Sequence, residues 1–94
     1  MIRIELRFFG TVRAAVGERT TTREFESGTT VREVLATIEG TSPELEGRLL
    51  EEDGSIARTV TVIRNGTNVT HDDGAETELT DGDALSITPP VTGG

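Results

Sequence analysis

The residues able to do chemistry are few. There is one histidine, His71, four serines (Ser27, Ser42, Ser55 and Ser86), no cysteine, and nine cationic side chains that are all arginine. His71 beside Asp72 and Asp73 could hold a metal or form an acid-base pair, but one imidazole with two adjacent acids lacks ligand spacing and reads as a solvated loop. None of the serines sits in a strand-to-helix elbow, so a serine triad through His71 is not expected. Asp81-Gly82-Asp83 reads as a tight turn rather than a ligand pair. Without cysteine there is no disulfide, no thiolate zinc site and no sulfur nucleophile, and without lysine there is no Schiff base and no P-loop cation. These residues predict no internal catalytic site, no bound metal or cofactor, and a protein that is not an enzyme.

The last six residues differ in kind. Pro89-Pro90 stiffens the exit from the last strand, and Val91-Thr92-Gly93-Gly94 follows it. Four residues beyond Pro90 reach about 13 Å. Glycines carry no side chain, so such a tail can thread a narrow channel and present the Gly94 carboxylate to an enzyme that activates it. The expected organisation is one domain over residues 1–90 and a flexible diglycine tail over 91–94.

The elements that must position this tail follow from periodicity. Ile2, Ile4, Leu6 and Phe8 alternate with Arg3, Glu5 and Arg7, which predicts a strand with one apolar face. Phe9 breaks the alternation and is a candidate surface contact. The polar, glycine-bearing stretch 10–17 then leads to a second strand over 19–26, and the two strands are expected to form a hairpin. Thr30-Val31-Arg32-Glu33 is a capping box, and Val31, Val34, Leu35 and Ile38 follow at helical spacing, with Gly40 expected to close the helix at positive φ. A short helical turn is predicted at Pro43-Glu44-Leu45-Glu46, with Leu45, Leu49 and Leu50 facing inward. Val60, Val62 and Ile63 predict a third strand, Asn65-Gly66 a hairpin turn with Val69 on its return, and Ala84–Ile87 a last strand. The fold class is therefore α+β, a mixed four- to five-stranded sheet with one main helix packed on one face.

Composition narrows the partners. The 94 residues carry seventeen carboxylates against nine arginines, a net charge of −8, and only three aromatic residues, all Phe. Phosphate backbones are repelled and no stacking platform exists, so no nucleic acid is expected. The charged, alternating start is neither a signal peptide nor a membrane span, which predicts a cytoplasmic protein without membrane contact. The length suits a monomer with one core layer rather than a deep substrate cavity. An acidic, lysine-free, threonine-rich chain has a halophilic character, since molar salt screens self-repulsion.

Met1-Ile2-Arg3-Ile4 through Leu6-Arg7-Phe8-Phe9-Gly10, the helix start at Thr30-Val31, Asn65-Gly66, Leu79-Thr80-Asp81-Gly82-Asp83 and Pro89-Pro90-Val91-Thr92-Gly93-Gly94 together resemble a family. It is the ubiquitin-like β-grasp sulfur-carrier branch: the molybdopterin synthase small subunit, the thiamine sulfur carrier and the small archaeal modifier proteins. The resemblance covers the whole chain and implies chemistry performed on the protein. An E1-like enzyme using ATP and Mg would adenylate Gly94, with Pro90, Val91, Thr92 and Gly93 as the tail it binds. Target-protein lysines would then receive Gly94 in an isopeptide bond, or a persulfide would convert it to a thiocarboxylate for molybdopterin or tRNA thiolation. The resemblance also implies a molybdopterin synthase large subunit and a deconjugating metalloprotease as partners. Thr88 stands where many members carry an aromatic, so docking would rest on Phe9, Ile87 and Val91. The alternative is a β-grasp interaction module whose tail is never activated.

If the acidic surface is adapted to salt, the thermal unfolding midpoint rises between about 0.1 M and 2 M potassium chloride. Equal midpoints in a calorimetric scan would remove that reading.

Overall fold

The computed structural model describes residues 1–88. The expected domain boundary at 90 and the tail residues Pro90, Val91, Thr92, Gly93 and Gly94 lie outside them.

Strand β1 (Ile2–Phe8) begins the chain and helix α1 (Gly10–Val16) follows directly. Strand β2 (Thr20–Phe25) then returns antiparallel to β1, Ile2 opposite Phe25 and Arg7 opposite Thr20. Helix α2 (Val31–Thr41) comes next, then a short 3-10 turn (Pro43–Leu45), strands β3 (Thr61–Arg64) and β4 (Thr67–Asn68), two further 3-10 turns (Val69–His71 and Gly74–Glu76), and strand β5 (Ala84–Thr88). The sheet has five strands in the order β2-β1-β5-β3-β4. β5 lies at its centre, parallel to β1 and antiparallel to β3. This is the expected mixed sheet, with α2 as its main helix.

The alternation in β1 does what period two requires: Ile4 and Leu6 are fully buried and Phe8 nearly so, while Arg3 and Arg7 face solvent. Val62, Leu85 and Ile87 extend that face, and α2 covers it with Val31, Val34, Leu35 and Ile38. Leu45 and Leu49 close the core, with Leu50 packed half-buried against it. Asn65 at φ 49 and Gly66 at φ 89 make the predicted two-residue turn between β3 and β4.

Four local expectations are corrected. Residues 10–17 are not a loop: they form α1, because Val12 and Ala15 recur at helical spacing, the alanines favour helix, and Gly17 at φ 89 closes it by donating to Arg13 at 2.8 Å. Val12 is buried and joins the core. Gly40 does not end α2, which continues to Thr41. The stop comes from Pro43, which disfavours helical geometry at Ser42, and Ser42 leaves it at φ −128 and ψ 89 while its N–H still reaches Ile38. The capping box is half formed: the Glu33 amide donates to Thr30 Oγ1 at 3.3 Å, but the Glu33 carboxylate accepts from the Thr29 hydroxyl at 2.9 Å. Val69 lies one residue past β4, buried in a 3-10 turn.

One polar cluster pins the sheet at the start of β5. Asp83 is buried, and its carboxylate accepts from Arg64 Nε at 2.8 Å, Asn65 Nδ2 at 2.9 Å, the Thr80 amide at 2.8 Å and the Thr80 hydroxyl at 3.2 Å. The Asn65 Oδ1 in turn accepts from the Ala84 amide at 2.9 Å. Burial pushes the Asp83 carboxyl up, but the hydrogen bonds from Arg64, Thr80 and Asn65 and the Arg64 charge outweigh it and hold the group below the ordinary carboxylate value. A depressed folded-state value contributes stability that is complete above the unfolded value and is lost as pH falls through the folded one.

Asp83→Ala leaves the half-buried Arg64 and the Asn65 amide without their partner and should destabilise by about 3 kcal/mol. In urea titrations the difference between the native chain and Asp83→Asn should be constant above about pH 5 and shrink below about pH 4. A difference independent of pH would remove the charged form of Asp83 from the account.

Candidate functional site

Because β1 and β5 are parallel, their C-terminal ends lie together. Phe8 pairs with Ile87, the Phe9 amide donates to the Ile87 carbonyl at 3.2 Å, and Thr88 stands opposite Thr61 of β3. The chain therefore leaves the described fold from the centre of the sheet, at the end where α1 begins. Phe9 caps that helix and is 45% exposed. Apart from Met1 it is the large apolar side chain most open to solvent among the described residues.

Ile87 is a different matter. It faces the interior and is fully buried, since it alternates with Ser86 on a strand whose Leu85 also points inward. It cannot serve as a docking residue, and that expectation is corrected. Of the contacts expected near the tail, the structure leaves Phe9 on the surface. Thr88 is half-buried.

A groove of about 1020 Å³ lies between α1, the Pro43–Leu45 turn and the approach to β3, with Val12, Ala15, Leu49 and Val60 on its floor and Arg48 and Arg58 on its rim. It is open, as expected for a chain too short to enclose a substrate.

The internal candidates do not assemble. His71 is exposed at the end of a 3-10 turn, and no group of three metal-ligating side chains exists among the described residues. Ser55 donates to Asp53 at 2.6 Å, which completes a turn. Asp81 accepts from the Arg3 amide at 2.8 Å and Asp83 from four donors, so both carboxylates are occupied in holding strands. No helix among the described residues is long and apolar enough to cross a membrane.

The ThiS family model matches residues 6–94, from mid-β1 through both terminal glycines. The chain belongs to the ThiS family. Within that family it is similar to small archaeal modifier protein 3 of Haloferax volcanii, 45% identical over 91 residues that cover 97% of this chain and 98% of that one. It is 30% identical to small archaeal modifier protein 1 of the same organism, over 97% of this chain and 100% of the other. A crystal structure of that protein overlays with a TM-score of 0.81. A chain in the structure of the Amycolatopsis orientalis BexX/CysO complex is 29% identical, covers 97% of this chain and 99% of its own, and overlays with a TM-score of 0.79. The fold is thus the ubiquitin-like β-grasp, and the chain is a small modifier or sulfur-carrier protein rather than an enzyme.

The contrast between the two docking candidates is measurable. Ile87→Ala should cost about 2–5 kcal/mol by opening a cavity, whereas Phe9→Ser should cost less than about 1 kcal/mol. Equal losses in denaturant titrations would mean that Phe9 is held in the core.

Proposed function

We propose that Gly94 is the site of the protein's chemistry and that an E1-like enzyme activates it. The Gly94 carboxylate attacks the α-phosphate of ATP, held with Mg on that enzyme, to give an acyl adenylate and release pyrophosphate. A target lysine amine then displaces AMP and forms an isopeptide bond, which makes the protein a tag. A persulfide displaces AMP instead to give an acyl persulfide, whose S–S bond is reduced by a thiol to leave the thiocarboxylate used in sulfur transfer to molybdopterin or tRNA.

The observation that carries this reading is the position of β5. β5 leaves from the middle of the sheet, held on both sides up to Ile87 and by β3 at Thr88, so the described chain ends beside exposed Phe9. A modifier function is further supported by the 45% identity to small archaeal modifier protein 3, and protein partners by the relative found in a complex. Activating-enzyme contacts fall in this reading on Phe9 and residues Pro90, Val91, Thr92 and Gly93. A deconjugating metalloprotease and a molybdopterin synthase large subunit complete the set of partners. Work in the cytoplasm, where ATP is plentiful, fits the same chemistry. With no lysine in the chain, side-chain-linked polymers cannot grow on it, so targets carry single attachments.

Intact mass spectrometry of the protein recovered from its native cells, with a denaturing blot of the tagged protein and its Gly93-Gly94 deletion, tests the proposal. Higher bands that vanish with the deletion are expected, together with a sulfur-for-oxygen mass gain in the free protein. Neither signal in cells that express the chain would leave an interaction module with an idle tail.

A further inference from the structure

The net charge of −8 hides a strong asymmetry. Residues 1–25, which build β1, α1 and β2, carry five arginines (Arg3, Arg7, Arg13, Arg19 and Arg23) against three carboxylates, a balance of +2; the remaining residues carry four arginines against fourteen carboxylates, a balance of −10. Of those five, only Arg7 forms an ion pair among the described residues, with Glu5; Arg3, Arg13, Arg19 and Arg23 have none. Arg13 and Arg19 line one notch between α1 and the approach to β2.

This basic region contains an open sheet edge. β2 ends the strand order and runs for six residues, with nothing paired on its far side among the described residues. The Phe8 amide donates to the Arg19 carbonyl at 2.8 Å, so positions 19, 21, 23 and 25 turn their backbone toward β1. Alternation in an antiparallel ladder then directs the N–H and C=O groups of Thr20, Thr22 and Glu24 away from the sheet. Those unpaired groups are a template for another strand.

Arg23 sits mid-strand, half-buried, on the face shared with Ile4. A cation at that position discourages apolar strands, and β2 of a second copy would bring Arg23 and Arg19 near their own kind. The same cation favours a strand bearing carboxylates. We infer that the β2 edge is a docking surface for an extended acidic peptide segment of a partner protein, which adds as a sixth strand beside Thr20, Thr22 and Glu24 and sets its carboxylates against Arg19 and Arg23. Backbone hydrogen bonds supply the attachment and the arginines the selectivity. Contact ion pairs persist in concentrated salt, because their separation is comparable with the screening length of about 3 Å at molar ionic strength. The surface lies at the sheet edge, two strands from β5, and does not depend on the tail.

The test uses the full chain, isotopically labelled for amide NMR, and a short synthetic peptide alternating aspartate and valine, with its lysine-valine counterpart as control. Shifts and slowed exchange are expected at the Thr20, Thr22 and Glu24 amides with the acidic peptide alone. Arg23→Glu should weaken binding by about tenfold or more. Thr22→Pro removes an outward N–H without breaking a β1–β2 bond, and should abolish the shifts while α2 and β5 amides keep their native positions. Equal effects from the lysine peptide, no shifts with the acidic peptide, shifts elsewhere, or unchanged affinity in both variants would overturn the proposal. It is equally overturned if the β2 amides shift with protein concentration alone, which assigns the edge to a second copy, or respond to an RNA oligonucleotide and not to the peptide.

Discussion

The parallel pairing of β1 with β5 is the constraint on which the rest of the molecule depends. It joins residues 5–8 to residues 84–87, so the two central strands come from opposite ends of the described chain. Leu6 and Leu85 are neighbours across it and both are fully buried, each worth about 1.5–3 kcal/mol of transfer out of water. A parallel pair needs a crossover, and everything between the strands serves as one. α2 covers the apolar face, the β3–β4 hairpin flanks β5, and the Asp83 cluster fixes where β5 begins.

That arrangement also separates the surface into regions with different chemistry. β5 ends beside exposed Phe9, and the groove along α1 has an apolar floor with charged side chains, Glu44, Arg48, Glu51 and Arg58, around it. The β2 edge carries cations and unpaired backbone, while the carboxylates concentrate on α2 and the long segment after it. A small domain of this family therefore offers more than one kind of contact without an internal site. The buried ionic cluster around Asp83 belongs to none of these surfaces and holds the hairpin to the turn before β5.

Strong periodicity made much of this legible. β1, α2, the Asn65-Gly66 turn and β5 could each be read from spacing alone, because one face of each is buried and the other is wet. α1 was hidden by its brevity and flanking glycines, although Val12, Ala15 and Val16 carry helical spacing. Asp83 read as a turn residue because its partners Arg64 and Asn65 lie 19 and 18 positions away, beyond any local pattern. Ile87 belongs to the core for a reason present in the sequence, since it lies two residues from Leu85 on the same face of β5. Phe9, by contrast, is exposed for the reason its break in alternation suggested. The candidate site at Gly94 rests on the composition of the last residues and on the family match through residue 94, since the described fold fixes only the point from which the tail departs.

The central place of β5 also sets how the domain bears load. A pull on the chain beyond Thr88 runs along the β5 axis, and the strand is bonded to β1 on one side and β3 on the other. Its hydrogen bonds lie across the direction of force, so they are sheared together and not peeled one after another. An edge strand such as β2 is bonded on one side only. A motor drawing on this domain through its C-terminal side would meet a strand bonded on both sides as the first element it reached.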